Sequence, residues 1–303
     1  MPLKILFLET RPQFLILSVV LAFLGTTIAW HDGYFDLGAA LLAGIGLVLA
    51  HTSVNTLNDY FDYKSGIDLA TRRTPFSGGS GILKEGLLKP SQVLWLGLIS
   101  LFMAVPIGIY FIIIRGWLLL PLLLVAAFCV VLYSPFILKR GWPEWAPGAG
   151  LGILPILGTY FAQTGAYSWE ALIASVPSGF LVHNLLLLNE FPDVDADRTA
   201  NRRTMPITMG SNGASIVYSL LTAGVYVWIA GWVIVWLATS GGFGMPPWTL
   251  LGLLTLPLGI RAIRGSRKYQ DMGKLVPAMA DNVMVVLLTQ FLMGVGYILA
   301  TAL

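Results

Sequence analysis

Between Thr204 and Ile260 the chain reads TMPITMGSNGASIVYSLLTAGVYVWIAGWVIVWLATSGGFGMPPWTLLGLLTLPLGI, 57 residues without one charged side chain. A bilayer core is crossed by about 20 predominantly apolar residues, so this run is long enough for two crossings. Inside it, Ser240-Gly241-Gly242-Phe243-Gly244-Met245-Pro246-Pro247 collects the residues that end helices. Working outward, seven further charge-free intervals occupy residues 12–31, 37–58, 90–114, 116–138, 145–169, 171–189 and 282–303. The pattern predicts an all-α polytopic membrane protein with nine transmembrane helices.

Composition supports the same class. Charged residues make up 11% of the chain, against about 25% in a soluble domain, and 56% of it is apolar. The single cysteine, Cys129, excludes a disulfide framework and a cysteine-ligated metal centre. The net charge of +3 rests on too few charges to make a nucleic-acid surface, and no nucleic-acid or obligate protein partner is expected. No cleavage site followed by a soluble domain succeeds the first interval, which predicts a retained helix rather than a signal peptide.

Nine crossings put alternate loops on opposite sides. Seventeen of the 18 lysines and arginines then fall on one side, with Arg115 alone on the other. By the positive-inside rule the N-terminus and the charged loops are cytoplasmic and the C-terminus is outside. Twelve of the 15 acids share the cytoplasmic side, the exceptions being Asp32, Asp36 and Glu170. The rule does not require that clustering, and it directs attention to the long charged segments 58–90 and 189–212.

Those two segments resemble each other. The first has Asn58-Asp59-Tyr60-Phe61-Asp62, then Asp68, then Arg72-Arg73-Thr74-Pro75; the second has Asn189-Glu190-Phe191-Pro192-Asp193, then Asp197, then Arg202-Arg203-Thr204. The offset is about 130 residues. Four crossings separate the copies, so the expected architecture is two parallel four-helix repeats, about 10–140 and about 141–265, with a ninth helix over about 280–303. All of it, residues 1–303, is expected to form one integral-membrane domain.

Residues four apart share a helix face. Asn58 and Asp62 form such a pair, and Asn189, Asp193 and Asp197 are expected to form a second stripe; Gly66 would end the first helix and let Asp68 fold back. Clustered carboxylate and amide oxygens suit a hydrated magnesium ion, and nearby basic residues suit a bridged polyanion such as a diphosphate. Solvated loop acids are the alternative. A calcium loop over Asp193-Val194-Asp195-Ala196-Asp197 fails, because Arg198 stands where glycine is needed and Thr204 where glutamate is needed. The loop Ser77-Gly78-Gly79-Ser80-Gly81 lacks the strand-helix context of a nucleotide site and reads as a lid or a plain linker.

These motifs resemble the two aspartate-rich motifs of the UbiA superfamily of intramembrane prenyltransferases. Arg11-Pro12, Tyr133-Ser134-Pro135 with Leu138-Lys139-Arg140-Gly141, and Arg202-Arg203-Thr204 agree with it, and the resemblance covers the whole chain. It implies a ring of nine helices around a central cavity, where a polyprenyl diphosphate donor is ionised and its allylic chain joined to an aromatic acceptor in the lipid bilayer. It implies Mg2+ held by Asn58, Asp62, Asp68, Asn189, Asp193 and Asp197. Diphosphate contacts would come from Asn58, Arg72, Lys139, Asn189 and Arg202, with Asp62, Asp193 and Lys139 as the catalytic set. The ten-residue gap from Asn58 to Asp68, Lys64-Ser65-Gly66-Ile67-Asp68, and the form of the second motif look like the dihydroxynaphthoate, menaquinone-type branch.

Other acceptors within the superfamily remain as alternatives: 4-hydroxybenzoate, haem or a glycerol-phosphate lipid. A secondary transporter would also have repeats, but needs ionisable or broken-helix sites near the midplane, where only His51 and His183 approach. Each could hydrogen-bond an acid or touch the acceptor, but a satisfied buried histidine is the commoner outcome, and neither is placed in the catalytic set. Of the aromatics near the motifs, Tyr60, Phe61, Tyr133, Tyr160 and Phe161 are each expected to serve packing before chemistry.

Overall fold

The computed structural model describes residues 3–71 and 73–303. Helices account for all regular structure among them. In chain order these are α1 (Leu3–Glu9), α2 (Pro12–His31), α3 (Leu37–Ser65), α4 (Ile67–Ala70), α5 (Pro90–Arg115), α6 (Leu119–Leu132), α7 (Trp145–Gly148), α8 (Leu154–Thr164), α9 (Trp169–Asn189), α10 (Val194–Thr199), α11 (Met205–Thr208), α12 (Gly210–Ala238), α13 (Leu256–Ser266) and α14 (Met272–Ala302).

Among the described residues six helices, α2, α3, α5, α9, α12 and α14, are long and apolar enough to cross a bilayer. The other three intervals of the expected nine fold differently. α6 has 14 residues, about 21 Å at 1.5 Å per residue, short of a bilayer core of about 30 Å. Residues 145–164 run as α7, a π turn over Ala149–Ile153 and α8. After Pro246, Pro247–Thr255 is a 3₁₀ helix that passes into α13.

The breaks have local causes. Gly148-Ala149-Gly150-Leu151-Gly152 lies against α9 so closely that a Cβ on Gly152 would stand 2.7 Å from the Ser178 carbonyl oxygen. Small residues there trade regular backbone for close approach, a common use of glycine between membrane helices. Irregular backbone at membrane depth is tolerated where protein surrounds it.

α2 and α9 are the most buried of the long helices. Leu21, Leu24 and Ile28 of α2 meet Ile156, Leu181, Ile229, Val285 and Met293 in the largest core. The surface is apolar as well: Phe102, Ile113, Leu124, Val227 and Leu254 are exposed, as for a protein whose solvent is lipid. Polar side chains inside are tied to one another. Asn184 donates to the Tyr218 carbonyl oxygen (2.8 Å) and to Thr222 Oγ1 (2.9 Å), and Tyr218 donates to Asn282 Oδ1 (3.0 Å), joining α9, α12 and α14.

The two repeated segments emerge at one end of this bundle. α3 ends at Ser65 with Gly66 at φ 79°, and α4 turns back from there carrying Asp68, as its sequence predicts. The second copy departs from expectation. α9 ends at Asn189 and α10 begins only at Val194, with Asp193 as its N-cap residue, because Pro192 cannot continue a helix. The expected single stripe through Asn189, Asp193 and Asp197 is therefore split across a turn.

Candidate active site

A cavity of about 110 Å³ lies where α3, α4, α9 and α10 end, and Asn58, Asp62, Asp68, Asn189, Asp193 and Asp197 all line it. The turn at Pro192 brings the second set to the first by a different path from the one expected, yet the six side chains converge. Glu190 also lines the cavity, so five acids face two arginines, Arg11 and Arg202.

Arg202 joins the two copies. Its Nη1 donates to Asp197 Oδ1 at 3.0 Å, and its Nη2 donates to Asp62 Oδ1. The segment that carries it is fixed by the chain behind it: Arg203 N donates to the Leu138 carbonyl oxygen (3.0 Å) and Met205 N to the Glu144 carboxylate (2.6 Å). Glu144 is fully buried. On the other side Asn58 Nδ2 donates to Ser134 Oγ (3.0 Å), which leaves the amide oxygen of Asn58 for the cavity.

Three of the remaining oxygens lack partners. Asn189 Oδ1, Asp193 Oδ1 and Glu190 Oε2 are buried without a hydrogen bond, and a buried acceptor left unpaired carries a cost of roughly 1–3 kcal/mol. Burial, and then the Asp197 carboxylate, push Asp193 up to about 7. Burial, followed by Asp62 and Asp59, does the same to Asp68, also to about 7. Asp197 is raised by burial, with Arg202 pulling it back. The site holds more negative charge than its two arginines offset. Hard oxygen donors with unmet capacity fit a divalent cation of the magnesium type.

No three carboxylate, imidazole or thiolate side chains among the described residues close into a cage. Magnesium sites commonly take one or two carboxylates and share the ion with water and substrate phosphates. Amide oxygens from Asn58 and Asn189 add donors of the same hardness.

One of the expected basic residues, Lys139, is not brought in. Lys139 is exposed and outside the lining, while its neighbour Leu138 faces the cavity. The 3₁₀ turn Ile137–Lys139 buries Ile137 and Leu138, and so turns Lys139 away. Arg72 lies outside the described residues. Arg11 takes the inner position instead, from the left-handed conformation (φ 56°) that joins α1 to α2. Its sequence signal was its place as the last cation before the first crossing. Glu190 was visible only as the acid beside Asn189.

A second cavity, about 450 Å³ and mostly apolar, runs from this site into the bundle between Phe14, Leu47, Val54, Leu122, Leu154 and Val286. Arg11, Asn58, Tyr133, Leu186 and Asn189 line both spaces. Of the five aromatics considered, Tyr133 alone lines either cavity. Tyr60 packs on Phe61 (5.3 Å between centroids), Phe161 packs on Tyr167, and Tyr160 donates to Asp32 Oδ2 at 2.6 Å. His51 lines the large cavity and shares a hydrogen bond with Ser18 Oγ (3.0 Å). His183 lines neither and pairs with Asn184.

Residues 18–279 match the model of the UbiA prenyltransferase family. A 1,4-dihydroxy-2-naphthoate octaprenyltransferase of Bacillus subtilis (strain 168) is 27% identical over 300 residues, which are 98% of this chain and 93% of that protein. Among solved structures, the apo structure of a UbiA homolog from Aeropyrum pernix K1 aligns with a TM-score of 0.68 at 18% identity, covering 94% of this chain and 97% of that one. A UbiA homolog from Archaeoglobus fulgidus bound to GPP and Mg2+ aligns with a TM-score of 0.59 at 13% identity, covering 98% and 99%. These structural likenesses bear on the fold alone.

Proposed function

The chain belongs to the UbiA prenyltransferase family, and we propose that it transfers a polyprenyl chain from a polyprenyl diphosphate to a dihydroxynaphthoate-type aromatic acceptor within the bilayer. The observation that carries the reading is the junction of two cavities of opposite character. One is acidic with unpaired oxygens, the other apolar, and Arg11, Asn58, Tyr133, Leu186 and Asn189 border both. A diphosphate suits the first once cations are present, and an isoprenyl chain suits the second. The acceptor class is supported by the activity named for the B. subtilis relative and by the spacing from Asn58 to Asp68.

Asn58, Asp62, Asp68, Asn189, Asp193 and Asp197 are the residues that would hold magnesium. The metal supplies Lewis-acid neutralisation of the leaving diphosphate. Arg202 and Arg11 contribute fixed positive charge beside the same oxygens, stabilising charge that grows as the allylic carbon–oxygen bond breaks. The apolar walls exclude water from the allylic cation until the acceptor's electron-rich ring carbon attacks it. Tyr133, at the junction, offers an aromatic face that tolerates a cation. Lys139, outside the lining, adds long-range attraction for the donor rather than a contact.

For topology we read all nine intervals as crossings, with α6, residues 145–164 and residues 247–266 completing the ring as short or broken helices, and residues 1–303 as one domain of two parallel repeats plus a ninth helix. The 17-to-1 distribution of basic residues supports a cytoplasmic N-terminus and site, with the C-terminus outside. The acceptor is tested by supplying purified protein in liposomes with magnesium, a polyprenyl diphosphate and either dihydroxynaphthoate or 4-hydroxybenzoate. Prenylated naphthoate is the expected product; preferential prenylation of 4-hydroxybenzoate contradicts the acceptor assignment.

A further inference from the structure

Glu9 closes α1, a seven-residue helix whose other end is exposed at Leu3 and Lys4, yet Glu9 itself has no exposed surface. A carboxyl group buried this way is retained only where partners offset its desolvation. Its partner is the glycine-rich loop. Ser80 Oγ donates to Glu9 Oε2 at 2.8 Å, and Ser80 N donates to Asp59 Oδ2 at 2.7 Å. One residue of the loop is thus held by its side chain to α1 and by its backbone to α3.

That residue directly follows the part of the loop that covers the acidic cavity. Ser77, Gly78 and Gly79 line the cavity. Gly79 sits at φ 70° with its missing Cβ 3.3 Å from Asp59 Oδ1 and 3.5 Å from Asp68 Oδ1, so the loop lies directly on the acids. The turn before it is organised separately: Thr74 Oγ1 accepts from Ser77 N at 2.9 Å. The Ser77 side chain reaches across to the Asp193 carboxylate, and Ser80 ties the loop to α1 and α3.

We propose that Glu9 is a positioning residue, and that α1 acts through Ser80 as a strap holding the loop Ser77–Gly81 closed over the donor's diphosphate. This rests on the diphosphate reading of the acidic cavity. Burial, and next the Asp59 carboxylate, push Glu9 up to about 8, with Ser80 and Arg11 pulling it back, in keeping with a group enclosed in its neutral form. The strap fixes Gly78 and Gly79 against the cavity. Releasing it should weaken retention of the donor without removing any group that acts on the reacting bond.

The test is hydrogen exchange of the loop amides in the full chain in nanodiscs, together with donor kinetics. Glu9→Ala is expected to speed exchange over residues 77–82 by about 10-fold or more while exchange in α9 is unchanged, and to raise the donor KM with kcat spared. Glu9→Gln keeps an oxygen that accepts from Ser80 and should restore both. Ser80→Ala, a smaller change should Glu9→Ala fail to fold, is expected to reproduce the loosened loop. Unchanged loop exchange in folded Glu9→Ala or Ser80→Ala overturns the strap. Faster exchange with an unchanged donor KM overturns its service to the donor. Failure of the diphosphate reading itself shows separately, as normal donor affinity in Asp193→Asn with the strap intact.

Discussion

Asp193 combines two properties that rarely coexist without a function: it is raised to about 7, first by burial and then by Asp197, and one of its oxygens is unpaired. Asp62→Ala and Asp193→Ala are expected to lower turnover by about 100- to 1,000-fold, the scale of one well-placed electrostatic contact, while the proteins remain folded in detergent. Near-normal turnover of either variant at saturating magnesium removes that residue from the site. Arg202 behaves differently because it offsets two buried carboxylates. Arg202→Ala is expected to cost about 3–5 kcal/mol of stability in chelator, and magnesium should restore part of it; a melting temperature indifferent to magnesium contradicts this. Lys139→Ala should change donor kinetics by less than about 5-fold, as for a solvent-screened charge of up to about 1 kcal/mol. The i, i+4 pair Asn58 and Asp62 was legible in the sequence because one helix carries both. Arg11, Glu190 and Glu9 were not, since their roles come from contacts with distant segments, as with Glu9 and Ser80.

At the scale of elements, the sequence read charge-free intervals as uniform crossings, and charge alone cannot separate a regular helix from a broken one. The signals for the breaks were present in Pro147, Pro155 and the glycines at 148, 150 and 152, but their meaning depends on α9 lying against Gly148 and Gly152 and on Cys129 of α6 lying against Gly150. A Cβ on Gly152 would meet Ser178 O at 2.7 Å and Gly179 Cα at 2.8 Å, both backbone atoms. Gly152→Val should therefore destabilise the protein by about 1–3 kcal/mol through overpacking. Because α9 ends at Asn189, turnover should fall with it although no site residue is changed; a variant with wild-type melting and turnover would mean that the π turn has slack. The split of the second motif at Pro192 belongs to the same scale. Asn189, Asp193 and Asp197 reach the cavity from two helices and a turn, so their convergence depends on tertiary packing that spacing alone does not encode.

For the whole molecule, the excess of acid at one end makes stability depend on pH. In chelator, Asp68 and Asp193 bind protons in the folded protein up to about 7, whereas 3.8 is their ordinary value. Folding therefore takes up protons: the contribution of these two groups is fully present below about 4 and is lost as pH rises through about 7. Melting in chelator should fall between about pH 5 and about pH 8, and magnesium, which needs the carboxylates ionised, should reverse the loss most at the upper end. A melting temperature that rises over this range contradicts the buried-acid account. Sidedness is tested by single cysteines in a background lacking Cys129. One at Glu85 should be labelled from the cytoplasm and one at Gly242 from outside, and the reverse pattern overturns the assignment made from the basic residues. The central claim is that the two acid motifs form one magnesium-dependent diphosphate site, and release of diphosphate from an isoprenyl diphosphate, followed with magnesium or chelator in the wild-type, Asp62→Ala and Asp193→Ala proteins, tests it most directly. Release by the wild type with magnesium, and by neither variant nor the chelated protein, is the predicted result; equal release in chelator, or in either variant, would contradict it.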